Sequence, residues 1–253
     1  MRIASTEASR HPTGEKARVP PWRWVNFAVI PFMLAMSAAL AVSAYIRSRT
    51  ISTSVYNPKV TVSPMRQLMG LSDMPNRPAP GFTLVDQAGD NVSLGQFRGK
   101  AVLLAFLDSR CTTVCPVLAQ EFLLAQKDLG PASAKVAFIA VNVNPLAASV
   151  ADVAAFDRLH GLDQMRNWYF LTGPGSELLR IANEYGIAVI VPKNGNPNQI
   201  EHADTLYFIS ATGRERYLAS PVVDRTKSGA GYLPQPALVQ WGGGIATYLT
   251  RIA

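Results

Sequence analysis

The pattern of hydrophobic and polar positions becomes globular from about residue 77, where strand-length and helix-length segments alternate. The run 101–107 is continuously apolar and the run 136–143 is apolar except for Asn142, which is typical of strands buried on both faces of a sheet. Two short strands around a turn at 87–90 precede them. The remaining pattern predicts helices over 116–129, 149–161, 176–186 and 236–251, and strands over 169–171, 206–209 and 215–219.

Strands that alternate with helices predict an α/β fold with a largely parallel central sheet, and hairpins near each end add antiparallel edges. Ser149 with Asp152 forms a capping-box pattern at the start of one of the helices. This order of elements predicts a thioredoxin-like domain with an N-terminal hairpin extension over residues 77–253.

A longer apolar segment lies near the N-terminus, where residues 24–46 contain no charged side chain. As a helix it would measure about 34 Å, enough to cross a hydrocarbon core of about 30 Å. We therefore predict a single transmembrane anchor in the lipid bilayer, with a cytosolic tail over 1–23 and a linker over 47–76. The globular domain is expected on the exported, periplasmic or extracytoplasmic side. A cleaved signal peptide is the alternative, because Ala-Leu-Ala at 39–41 resembles a processing site.

The net charge of +7 belongs to the N-terminal part of the chain. Residues 1–66 carry nine Lys or Arg and two acids, whereas the rest of the chain carries 15 of each. A nucleic-acid-binding domain would be expected to show a basic face of its own. The basic residues instead bracket the apolar segment, as they do around a membrane anchor, so we expect no nucleic-acid partner.

Cys111 and Cys115 are the two cysteines of the chain, and they follow the predicted central strand at the N-terminus of a helix. The helix dipole and the free backbone N–H groups there favour anionic sulfur and lower a thiol pKa. Residues four apart on a helical turn lie on one face, so both sulfurs can bind one ion or, after modest adjustment, form a disulfide. A structural disulfide, a redox pair and a soft-metal site therefore stay open. For a metal, two thiolates favour Cu(I).

A third metal ligand would most readily come from one of the three histidines. His11 precedes the predicted anchor. His160 ends a predicted helix, where an imidazolium would complement the helix dipole. His202 directly precedes the strand 206–209, which in a thioredoxin-like sheet neighbours the strand before the cysteines. The residues alone leave a ligand role for His202 open.

Several motifs between about residues 77 and 219 resemble the Sco/SenC family (synthesis of cytochrome c oxidase). They are Arg77-Pro78-Ala79-Pro80-Gly81-Phe82-Thr83-Leu84, Phe97-Arg98-Gly99-Lys100, Cys111-Thr112-x-x-Cys115-Pro116, Glu184-Tyr185-Gly186-Ile187, and His202 before an apolar strand and a Thr212-Gly213 turn. The resemblance implies that Cys111, Cys115 and His202 bind copper, as Cu(I) and also as Cu(II). It further implies a membrane-anchored metallochaperone that takes copper from a donor. The client would be the binuclear copper centre of cytochrome c oxidase subunit II or a similar copper protein.

The main alternative is a membrane-anchored thiol–disulfide oxidoreductase in which Cys111 and Cys115 are the catalytic pair. Ordinary thioredoxin-type reductases use C-x-x-C and place a proline where this chain has Ala203-Asp204. A peroxidase is a weaker alternative. Thr112-x-x-Cys115 resembles part of a peroxiredoxin site, but Asp108 stands where that site has a proline four residues before the threonine. The chain also departs from the Sco/SenC pattern, with Glu201 in place of an Asp before the histidine. The family's Asp-Pro-x-x-Asp motif appears here as Asn144-Pro145-Leu146-Ala147-Ala148.

Overall fold

The computed structural model describes residues 63–253, apart from positions 222 and 228. The predicted tail, the predicted anchor and most of the predicted linker lie outside the described residues. Among the helices between residues 63 and 253, none is long and apolar enough to cross a membrane.

The described chain contains five α-helices and twelve short strands in an alternating order. In chain order they are α1 (Pro64–Leu68), β1 (Ser72–Asp73), β2 (Thr83–Val85), β3 (Asn91–Ser93), β4 (Ala101–Leu107), α2 (Cys115–Leu129), β5 (Val136–Asn142), α3 (Val150–His160), β6 (Trp168–Leu171), α4 (Gly175–Glu184), β7 (Val189–Ile190), β8 (Glu201–His202), β9 (Leu206–Ile209), β10 (Glu215–Ala219), β11 (Asp224–Arg225), β12 (Gly231–Tyr232) and α5 (Gln235–Ile252).

The central sheet has six strands in the order β1-β10-β9-β4-β5-β6. β4, β5 and β6 are parallel, and β9, β10 and β1 continue the sheet in antiparallel pairings. β2 and β3 form a separate hairpin before β4, as the turn at 87–90 predicts. The predicted mixed α/β architecture with an N-terminal hairpin is therefore confirmed.

Two hydrophobic cores lie on opposite faces of the sheet, because successive side chains of a strand point to opposite faces. In β4, Leu103 and Leu107 contribute to the core that contains α2, α3 and α5. Leu104 and Phe106 contribute to the core that contains α4 and the β2–β3 hairpin. Every residue of β4 is buried, as expected for a central strand covered on both faces.

The folded part of the chain begins earlier than the predicted end of the linker at residue 76. Ser63 caps α1, since its hydroxyl accepts a hydrogen bond from the Arg66 N–H, and Pro64 occupies the first position of the helix. β1 pairs with β10 at the edge of the sheet. Met69 and Leu71 are buried in the core, so burial of apolar surface draws this segment onto the domain.

Candidate metal centre

The two cysteines lie in the turn that joins the end of β4 to the start of α2. Asp108 organises this turn: its carboxylate accepts the Arg110 N–H at 2.8 Å and its carbonyl accepts the Cys111 N–H at 3.0 Å. Burial raises the pKa of the Asp108 carboxyl, and its hydrogen bonds oppose that shift. Cys115 is the first residue of α2 and Pro116 the second, a position where the missing N–H costs nothing.

Cys111 and Cys115 are both free thiols, but their surroundings differ sharply. Cys111 is half-buried, and its Sγ accepts the Cys115 N–H at 3.4 Å and lies 3.5 Å from the Thr113 hydroxyl. A hydrogen bond from the Cys115 thiol, aided by Thr113 and opposed by burial, lowers the pKa of Cys111 to about 4. Cys115 is completely buried, and burial raises the pKa of its thiol. At neutral pH, Cys111 is therefore the thiolate and Cys115 the thiol that donates to it.

His202 lies at the same end of the sheet as the cysteines. It forms part of β8, which pairs with β7 through Val189 and leads directly into β9. β9 runs antiparallel to β4, with Leu206 opposite Ala105, so the approach to β9 and the exit from β4 meet at one edge. The sequence-based expectation that these two strands are neighbours is confirmed.

The contacts of the His202 imidazole with neighbouring polar groups are made by Nδ1. Its side chain is only 6% exposed, with Nδ1 3.3 Å from the Ala203 carbonyl oxygen and 3.8 Å from the Asp204 carboxylate. A neutral ring that donates from Nδ1 carries its free lone pair on Nε2, which is the form that binds a metal.

Cys111 and His202 line one open cavity of about 720 Å³, together with Thr113, Ile190 and Asp204. The three predicted ligands thus gather at one end of the domain, but their donor atoms are not assembled around a single point. Within residues 63–253, no group of three or more His, Cys, Asp or Glu side chains lies close enough to hold a metal ion. Glu201, which replaces the family's aspartate, is exposed.

His160 lies on the other side of Cys111 and lines a second cavity of about 500 Å³ with it. Its ring packs on Phe156 with centroids 4.3 Å apart. Burial lowers the pKa of His160, and the negative charge of the Cys111 thiolate opposes that shift. Sequence reasoning missed this cavity and the 2.5 Å ion pair that joins Arg110 to Asp152 across it. No local pattern signals that contact. His11 lies outside the described residues.

Comparisons with known proteins identify a family to which this chain is similar. The family model described as SCO1/SenC matches residues 72–227. The SCO1 protein homolog of Bacillus subtilis (strain 168) is 27% identical over 144 residues, which are 57% of this chain and 74% of that protein.

Solved structures with the same fold include Bradyrhizobium japonicum ScoI with copper bound. It is 21% identical, with a TM-score of 0.54 over 70% of this chain and 99% of that one. BsSco, described as a member of the Sco family of cytochrome c oxidase assembly proteins with a disulfide switch, is 26% identical. Its TM-score is 0.51 over 70% of this chain and 98% of that one. These likenesses confirm the predicted thioredoxin-like fold.

Proposed function

The chain belongs to the SCO1/SenC family, and from this premise we propose that it is a metallochaperone that binds copper through Cys111, Cys115 and His202. The observation that carries the proposal is that Cys111 and His202, 91 positions apart in the sequence, line the same cavity, with Cys115 hydrogen-bonded behind Cys111. A structural relative was solved with copper bound.

The donor set suits a soft cation. Two sulfurs and an imidazole nitrogen favour Cu(I) over hard divalent ions, and Cu(II) is a second accessible state. Cys111 supplies a thiolate at neutral pH because its pKa is about 4. Cys115 must release its proton when it becomes a ligand, since only the thiolate binds metal, so copper uptake by this protein releases at least one proton.

Copper binding requires a movement that brings His202 toward the two sulfurs. β7 and β8, two residues each and joined by the loop 191–200, form a separate hairpin outside the six-stranded sheet, so this hairpin can shift while the central pairings stay intact. Burial anchors Cys115, whereas Cys111 faces the cavity. The histidine side is therefore the part of the site that we expect to close on copper and to open for delivery.

Delivery of copper would proceed by ligand exchange. Thiolates of the client replace Cys111, His202 and Cys115 one at a time, and the oxidation state of copper does not change. BsSco is a cytochrome c oxidase assembly protein. By analogy we propose subunit II of that enzyme, or a similar copper protein, as the client, with a separate copper donor.

A second function, thiol–disulfide exchange, is favoured by one specific observation: an accessible low-pKa thiolate lies beside a buried thiol. Cys111 would attack a client disulfide to form a mixed disulfide and release one client thiolate. Cys115 would then attack Cys111 and lose its proton to the second client thiolate. The client leaves as a dithiol after water protonates the thiolate that was released first, the Cys111–Cys115 disulfide remains, and a second dithiol is needed to reduce it. BsSco is described as having a disulfide switch.

We also propose that residues 24–46 anchor the protein in the membrane, with the N-terminus in the cytosol and the domain on the exported side. The support is the uncharged 23-residue segment and the basic residues that flank it. Such an anchor would hold the copper site at the surface of the bilayer that contains a membrane-bound client.

Copper titration of the reduced protein, followed by X-ray absorption at the copper edge, tests the main proposal. We expect one copper with two sulfurs and one nitrogen. Cys111→Ser or Cys115→Ser should abolish tight binding, and His202→Ala should weaken it while the disulfide still forms. His160→Ala is the matched control and should bind copper like the wild type. If His202→Ala binds copper with unchanged affinity, His202 is not a ligand. If the wild-type protein exchanges disulfides but binds no copper, the metallochaperone proposal fails and the oxidoreductase function is supported.

A further inference from the structure

A buried asparagine connects the two halves of the proposed copper site. Asn144 lies two residues after the end of β5 and is 0% exposed. Its side-chain oxygen accepts the Leu146 N–H at 3.0 Å, which fixes the orientation of the amide. Its Nδ2 donates at 2.7 Å to the Asp108 carboxylate and at 2.7 Å to the Pro197 carbonyl. Both N–H bonds of one amide are therefore used.

The two acceptors belong to the two segments that carry the proposed ligands. Asp108 organises the cysteine turn, as described above. Pro197 lies in the loop 191–200, between β7 and the strand that carries His202. Other hydrogen bonds of this loop close within it, from Asn194 to Gln199 and from the N–H groups of residues 196 and 198 to neighbouring side chains. The Asn144 bond instead ties the loop to the core.

We propose that Asn144 is a positioning residue that holds the cysteine turn and the His202 hairpin against each other. The inference rests on the proposed function for its consequence in copper binding. An aspartate, which the Sco/SenC pattern carries in this motif, could not make these two bonds, because a carboxylate has no N–H to donate. An aspartate at 144 would leave the Pro197 carbonyl without its donor and place a second carboxyl against that of Asp108, which is 3% exposed.

Asn144→Asp in the full-length reduced protein tests the proposal through hydrogen exchange of the metal-free chain. We expect exchange in 189–202 to accelerate by about tenfold, since the loss of one hydrogen bond to a part-buried acceptor shifts local opening by that order. β5 should keep its protection. Asn91→Asp is the matched control: it makes the same chemical change at an exposed position, and its exchange should equal that of the wild type.

Two further variants separate positioning from a general loss of structure. Asn144→Ala removes both donors without adding charge. It should therefore speed exchange in the same hairpin, and it serves as the test if Asn144→Asp does not fold. In Asn144→Asp/Asp108→Asn, the new amide at 108 can donate to the carboxylate at 144. Compared with Asn144→Asp, that double variant should exchange more slowly in residues 108–114. It should exchange as fast as Asn144→Asp in 189–202, because the Pro197 carbonyl still lacks its donor.

The copper-loaded protein gives the second readout. In Asn144→Asp, the X-ray absorption signal should keep two sulfurs and lose the nitrogen, and copper affinity should fall by about tenfold. Wild-type exchange rates across 189–202 in both Asn144→Asp and Asn144→Ala would overturn the inference. If the wild type itself binds no copper, the proposed function fails, and the exchange comparison still decides whether Asn144 positions the hairpin.

Discussion

Glu121 makes the stability of this domain depend on pH in an unusual direction. The residue lies on α2, six positions after Cys115, and is 0% exposed. Neither of its carboxyl oxygens has a hydrogen-bond partner. Burial raises the pKa of Glu121 from its ordinary 4.5 to about 8, so the folded protein keeps this carboxyl neutral at pH 7. The unfolded chain releases the proton above about pH 4.5.

The sign and size of the effect follow from this difference. A folded-state pKa above the unfolded value contributes stability that is fully present below pH 4.5 and is lost as the pH rises toward 8. Each pKa unit corresponds to about 1.4 kcal/mol, so the contribution of Glu121 falls by about 2.5 kcal/mol between pH 5 and pH 7. Glu121→Gln keeps the shape of the side chain and removes its ionisation. The variant should therefore gain about 2.5 kcal/mol relative to the wild type over this interval.

Urea unfolding of both reduced proteins at pH 5, 6 and 7 measures this gain. Comparing the difference in unfolding free energy at two pH values cancels the pH-independent cost of burying an amide. Glu184→Gln, at an exposed position on α4, is the matched control and should show a shift below about 0.5 kcal/mol. If the difference in unfolding free energy between the wild type and Glu121→Gln is equal at pH 5 and pH 7, the carboxyl has a solvating partner and the reasoning is refuted.

Two other predictions concern the thiols and the anchor. Because the pKa of Cys111 is about 4, iodoacetamide should alkylate it at a nearly constant rate from pH 5 to pH 8. In Cys115→Ala the missing donor raises that pKa and the rate should climb with pH; a wild-type rate that rises tenfold per pH unit would contradict the assignment. For the proposed topology, protease added to cells with a permeabilised outer envelope should degrade the domain 77–253 but spare a tag fused to the N-terminus, and the opposite pattern would reverse the orientation.

The sequence alone determined the elements whose signal is local. Apolar runs predict β4 and β5 as central strands because a strand covered on both faces buries nearly all of its side chains among apolar neighbours, and Asn142 at the end of β5 is a polar exception. The capping box of Ser149 and Asp152 fixes the start of α3, since both of its hydrogen bonds are formed within four residues. The cysteine turn is likewise set by the strand before it and the helix after it. The family itself could be predicted from contiguous motifs.

The tertiary structure decided what depends on contacts between distant segments. The shared cavity of Cys111 and His202 exists because β9 pairs with β4, and the link through Asn144 needs three separate segments to meet. The Glu121 carboxyl lacks a hydrogen-bond partner because the residues packed around it in the folded domain exclude water and offer no polar group. Hydrophobic periodicity specifies which face of an element is buried, whereas pKa shifts and ligand distances depend on the solvent and partners that only the packed domain supplies.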